Sequence, residues 1–148
     1  KSYYQFIFDK MVNIISMQDM RQLNLFERIT KISTRFCFNY NEIIFFCVPK
    51  PLVMRAVGKE GRNVRTISSI LGKRIKIIPF PKGIYQVKDF IQTIVYPVEF
   101  KGVEVISNEV ILTAGTRSKA ALLGRNKRRL LEMQKIIKDF FGKEFRIV

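Results

Sequence analysis

The run Ala56-Val57-Gly58-Lys59-Glu60-Gly61-Arg62-Asn63-Val64 has a partial echo at Ala120-Ala121-Leu122-Leu123-Gly124-Arg125-Asn126, and the first glycines of the two runs stand 66 residues apart. Each run sits between a short apolar stretch and a longer one of helical period, so each reads as a turn joining two helices. A chain that carries one supersecondary signature twice must build two copies of one unit, and this constrains its fold more than any other feature.

The elements around the turns agree. Ser16-Met17-Gln18-Asp19 has capping-box spacing with Asp19 in place of Glu, which predicts a helix to about Ile32 with Leu25, Ile29 and Ile32 as its apolar stripe. Thr34 to Phe38 and Ile43 to Val48, rich in aromatic and β-branched residues, predict a hairpin around Asn39-Tyr40-Asn41-Glu42. Pro51 opens a short helix to about Val57. Val64, Ile67 and Leu71 mark the helix after the turn, Gly72 closes it, and Arg74 to Ile78 is the next strand.

The second half repeats this order: a helix from Val87 to Tyr96, strands Val98–Ile106 and Glu109–Thr113 around Ser107-Asn108, a short helix Ser118–Leu123, a helix from about Lys127 to Phe141, and a last strand from Phe145. Its final helix should be longer by about one turn, since Gly124 to Phe145 exceeds Gly58 to Ile75 by four residues. Pro79, Pro81 and Gly83 break the pattern between the halves. The expected organisation is α+β: an extension over 1–15 (a tag or an arm before Met11), a first domain at 16–79, a linker at 80–86 and a second domain at 87–148.

The chemistry of the turn follows from its glycines. They permit positive φ and let backbone approach a ligand closely. The helix that follows points its free N–H groups and partial positive charge toward an anion. Charge supports this: 27 Lys and Arg against 12 Asp and Glu give a formal net charge of +15, a long-range field for polyanions. Lys50, Arg55, Lys59, Arg62, Arg65, Lys73, Arg74 and Lys76 fall around the first turn against Glu60 alone, and Arg117, Lys119, Arg125, Lys127, Arg128 and Arg129 crowd the second with no acid between 110 and 131.

Absences narrow the chemistry. No His is present, which removes the commonest general base near neutral pH, and two cysteines alone cannot assemble a zinc site of Cys or Cys/His type. No metal or other cofactor is expected, and no enzyme. A nuclease using Glu99, Glu104 and Glu109 is the weakest alternative. Cys37 and Cys47 share the predicted hairpin as buried thiols or as a cross-strand disulfide. No apolar run approaches the roughly 20 residues of a spanning helix, so no membrane association is expected.

The order α-β-β-α-(G-x-x-G)-α-β resembles the type II, prokaryotic KH domain, and two in tandem resemble the archaeal NusA family of transcription termination and antitermination proteins. The residues that carry this are Asp19-Met20-Arg21 and Leu25-Phe26-Glu27 in the first helix, the first glycine run with Arg65, Leu71-Gly72-Lys73-Arg74-Ile75, and the second run. The resemblance implies two α+β domains, each a small mixed three-stranded sheet packed by helices. It implies single-stranded RNA as partner, RNA polymerase subunits as further partners, a cytoplasmic monomer, and a role in transcription termination.

By the same resemblance the RNA-binding residues are Arg55, Val57, Gly58, Lys59, Glu60, Gly61, Arg62, Asn63, Arg65, Lys73 and Arg74 in the first unit, and Gly124, Arg125, Asn126, Lys127 and Arg128 in the second. Lys59, Arg62 and Arg65 would lie near phosphates, with Val53, Ala56, Val57 and the edge of Ile75 or Ile77 as an apolar floor for bases. The second turn departs from the pattern, since Lys127 replaces its closing glycine. It reads as a lost clamp kept for packing, as a clamp acting through Arg125, Lys127 and Arg128, or as a protein-contact surface. Among functions, the alternative to the transcription factor is a ribosome-assembly or protein-interaction module docking on structured RNA.

Overall fold

The structure, a computed structural model, describes residues 17–148, the side chain of Gln18 excepted. The extension expected over 1–15 and the cap at Ser16 lie outside the described residues. The chain divides into two compact units between Phe80 and Pro81. Each is mixed α+β with one three-stranded sheet.

The first unit runs α1 (Met17–Thr30), β1 (Phe36–Tyr40), β2 (Ile43–Val48), a 3-10 turn at Lys50–Leu52, α2 (Val53–Val57), α3 (Arg62–Leu71) and β3 (Arg74–Pro79). The second runs α4 (Val87–Val95), β4 (Gly102–Ile106), β5 (Glu109–Thr113), α5 (Thr116–Leu123), α6 (Arg128–Phe141) and β6 (Glu144–Ile147). In both, the middle strand pairs antiparallel with the hairpin strand before it and parallel with the strand that returns after two helices. α6 is 14 residues to the 10 of α3, the extra turn expected from the spacing.

Several boundaries differ from the pattern reading, each for a local reason. The first hairpin turns on two residues, Asn41 and Glu42, both at positive φ, because Tyr40 pairs with Ile43; β1 therefore starts at Phe36 rather than Thr34. Thr34 instead donates its hydroxyl to the Cys47 carbonyl at 2.6 Å. The central residue of the α1 stripe is Phe26, fully buried and stacked on Phe46 at 4.5 Å, while Ile29 is half-buried and Ile32 lies past the helix end. β4 begins at Gly102 rather than Val98. The segment 80–86 is ordered at both ends: Phe80 is buried against Phe36 at 4.4 Å, following Pro79 in β3, and Ile84–Gln86 is a 3-10 turn leading into α4.

The two sheets bury their faces differently. All six residues of β2 are buried. Ile44, Phe46 and Val48 join Leu23, Phe26, Cys37, Ala56, Ile67, Ile75 and Ile77 in a core beneath the helices. On the reverse face Phe36, Tyr40, Ile43, Phe45, Cys47 and Ile78 are buried as well. A strand covered on both sides should read as a continuous apolar run, and Ile43-Ile44-Phe45-Phe46-Cys47-Val48 does. β5 alternates instead, with Val110 and Leu112 buried between half-buried Glu109, Ile111 and Thr113, the sign of one covered face.

This register removes the disulfide alternative. Cys37 pairs with Phe46 and Cys47 with Phe36, so the two sulfurs point to opposite faces, and both are buried free thiols. Burial, aided by the Asp19 charge, pushes the Cys37 thiol up to about 12, and complete burial pushes Cys47 well above its usual value. Both thiols should resist a thiol reagent in the folded protein and react fully on unfolding. In the unfolded chain they ionise near pH 8.5, while the folded chain keeps them neutral. Their contribution to stability is therefore intact below about pH 8.5 and is lost as pH rises toward 12, at up to ~1.4 kcal/mol per pH unit per thiol. Urea unfolding midpoints should fall across that range and fall less in Cys37→Ala; a reactive thiol in the folded protein would contradict this packing.

Candidate nucleic-acid interface

The turn between α2 and α3 is shaped by a lack of space. A Cβ on Gly58 would stand 3.0 Å from the Asn63 side chain and 3.1 Å from its backbone nitrogen, and Gly58 itself has φ 82°, ψ 165°. Glycine alone fits both conditions. The chain then reverses through Glu60 (φ 55°, ψ 29°) and Gly61 (φ 73°, ψ 20°), with the Gly61 N–H donating to the Gly58 carbonyl at 3.0 Å. α3 starts without a side-chain cap, and the Arg62 N–H donates to the Lys59 carbonyl, so the turn runs directly into the helix.

Side chains hold this turn from two sides. Asn63 Nδ2 donates to the Ala56 carbonyl at 3.0 Å, and the Arg65 guanidinium donates to the Glu60 carbonyl. Arg55, Lys59, Arg62 and Arg65 are exposed around the turn and make no ion pair with a carboxylate among the described residues. Thr66 and Ser69, with exposed Ile70, extend this surface: together with Arg62 and Arg65 they line an open depression of about 350 Å³ on the outer face of α3. These three residues escaped the sequence reading, since hydroxyls and an isoleucine off the core stripe carry no motif. Met54, one turn before the clamp and 83% exposed, escaped it too.

Other expected site residues lie elsewhere. Lys73 and Arg74 are exposed, but they sit past the far end of α3, about 15 Å along the helix from the clamp, where Ser68 donates to the Lys73 carbonyl at 2.7 Å. The apolar floor is mostly interior: Ala56, Ile75 and Ile77 are core residues, and Val53 and Val57 are half-buried against the same core. Nor do the glutamates form a metal site: Glu109 is paired with Arg146 at 3.0 Å, and no group of three or more His, Cys, Asp or Glu among the described residues could hold an ion.

The second turn reproduces the first despite Lys127. Gly124 has φ 75°, ψ 171°; Asn126 has φ 57°, ψ 29°; Lys127 has φ 59°, ψ 25°; and the Lys127 N–H donates to the Gly124 carbonyl at 3.1 Å. A Cβ on Gly124 would meet Arg129 at 2.5 Å. The turn keeps its shape, and Lys127 adopts the left-handed conformation that its side chain disfavours. Arg125, Asn126, Lys127 and Arg128 are exposed there.

No protein-family model matches the chain. It is 30% identical over 91 residues to the Probable transcription termination protein NusA of Methanococcus vannielii, an alignment covering 62% of this chain and 51% of the relative. It is 25% identical over 128 residues to the protein of the same name from Methanocaldococcus jannaschii, covering 84% and 68%. The chain thus spans about half the length of the first relative and about two thirds of the second. The crystal structure of APE1850 superposes with a TM-score of 0.61 at 21% identity, covering 90% of this chain and 99% of that one, which shows a shared fold. The likeness to archaeal NusA proteins read from the glycine runs is therefore found in whole-sequence comparison as well.

The strain at Lys127 can be measured. A residue with a Cβ in the left-handed region costs about 1–2 kcal/mol, and a new glycine returns about 0.4–1 kcal/mol of unfolded-state entropy. Relief should win, so Lys127→Gly should be neutral to stabilising by up to ~1 kcal/mol in urea unfolding. Gly124→Ala, which adds both crowding and strain, should destabilise by more than ~1 kcal/mol. A clear loss of stability in Lys127→Gly would contradict the left-handed assignment.

Proposed function

We propose that this chain is an RNA-binding transcription factor of the archaeal NusA type, whose two units are tandem type II KH domains that hold single-stranded RNA and act on transcription termination or antitermination. The observation that carries this reading is the Gly58–Gly61 turn itself: a glycine-bounded backbone reversal that opens a helix, with Arg55, Lys59, Arg62 and Arg65 exposed around it and not ion-paired among the described residues, and whose dihedral angles recur closely at Gly124–Lys127. Such a turn brings bare backbone to a sugar-phosphate chain at a distance that side chains would otherwise block. The likeness to relatives named as transcription termination proteins supports the setting. RNA polymerase subunits are the expected protein partners.

In this reading the first clamp takes the phosphates of a few nucleotides along the backbone of the Gly58–Gly61 turn, toward the positive end of α3, with Lys59 and Arg62 beside them. Flanking nucleotides meet Arg55 and Met54 on one side and Thr66, Ser69 and Ile70 on the other. The side chain of Lys127 places a point charge where the first unit offers bare backbone. The second clamp therefore contributes through Arg125, Lys127 and Arg128 and contributes less.

Binding should depend steeply on salt, at about −0.7 in logarithmic slope for each phosphate contact on a single strand. Replacing Lys59→Asp together with Glu60→Asp puts two carboxylates at the phosphate position. Asp tolerates the left-handed conformation at position 60, so the fold should survive. Fluorescence anisotropy with a short single-stranded oligoribonucleotide should show a loss of about tenfold or more. Arg125→Asp with Asn126→Asp should cost less. An equal or larger loss from the second pair, with unchanged circular dichroism in both, would make the second turn the principal site.

A further inference from the structure

We propose that Asn63 and Arg65 position the first clamp rather than contact RNA, so that this clamp is held in its binding shape before RNA arrives. The inference rests on the reading of that turn as an RNA clamp. Asn63 is half-buried, and its amide donates to the Ala56 carbonyl while filling the space that a side chain at position 58 would need. It ties the last turn of α2 to the first turn of α3. Arg65 donates to the carbonyl of Glu60, the non-glycine residue at φ 55°, and its Nη1 lies 3.3 Å from where a Cβ on Gly61 would stand. A guanidinium bound there has given a donor to the turn. It also holds Glu60 in a conformation that a residue with a Cβ leaves readily.

The second unit makes the coupling visible, because three positions change together. Where the first has Gly61, Asn63 and Arg65, the second has Lys127, Arg129 and Leu131. Arg129 pairs with Glu132 at 3.0 Å, and Leu131 is 60% exposed. An arginine at 131 would meet the Lys127 side chain in the place where Arg65 lies over Gly61. The second turn thus has nearly the same backbone with different side chains at the positions that hold the first.

The test uses the full chain and two variants, Arg65→Leu, which installs the residue of the second unit, and Asn63→Ala. In the free protein, amide hydrogen exchange at Gly61, whose N–H donates within the turn, should quicken roughly tenfold in each variant, the effect of losing one net hydrogen bond. With a short single-stranded oligoribonucleotide, Arg65→Leu should bind severalfold more weakly at every salt concentration with an unchanged salt slope. A phosphate contact would behave otherwise: its loss would flatten the slope by about 0.7. A flattened slope, or unchanged Gly61 exchange in both variants, overturns the proposal. Should Asn63→Ala fail to fold, the exposed Arg65 position still decides it. If the wild-type chain binds no RNA, the proposed function fails, and the exchange measurement judges the brace independently.

Discussion

The close approach of position 63 to Gly58, and of position 129 to Gly124, is the contact on which the rest of each unit depends. With no Cβ at 58, the backbone nitrogen and side chain of Asn63 can lie where a side chain would otherwise be. Two helices can then meet across four residues, Gly58 to Gly61, and that short junction sets where each helix lies on the sheet. Ala56 of α2 and Ile67 of α3 are both fully buried in one core with Phe26 and Phe46. A looser junction would move one of them out of a core that tolerates little change in volume. The same junction shapes the backbone turn that the proposed function uses, so packing and binding are set by one constraint.

The two units differ where backbone shape does not depend on the side chain. Gly58 and Gly124 are both retained because both are crowded. Lys127 stands where the first unit has Gly61, in a left-handed φ that costs about 1–2 kcal/mol, and position 131 beside it is a leucine rather than the arginine that lies over Gly61. The sheets differ too: the first is buried on both faces, and the second carries the Glu109 to Arg146 ion pair on its open face.

Much of this was legible in the sequence. Glycines at fixed offsets, apolar periods of helix and strand, and a second copy of the pattern gave the order of elements, both sheets and the position of each turn. What was not legible depended on tertiary neighbours. Asn63 and Arg65 look like members of a basic, polar clamp, and only their bonds to the Ala56 and Glu60 carbonyls show them facing the protein. Lys73 and Arg74 belong to the same run of charge yet lie a helix length from the turn. Ala56, Ile75 and Ile77 pattern as a groove floor until their burial shows them to be core. Phe80, within a proline-rich stretch, reads as linker because its partner Phe36 is 44 residues away.

The measurement that bears most directly on the central claim is an NMR titration of the chain with a short single-stranded oligoribonucleotide, following backbone amides of both units. A clamp formed by the Gly58–Gly61 turn predicts that the largest shift changes fall on Lys59, Glu60, Gly61 and Arg62, with smaller ones at Arg125 to Arg128 and little change at Lys73 and Arg74. Shift changes centred on the β4 hairpin or on the far end of α3, with the glycine turn unmoved, would contradict the account.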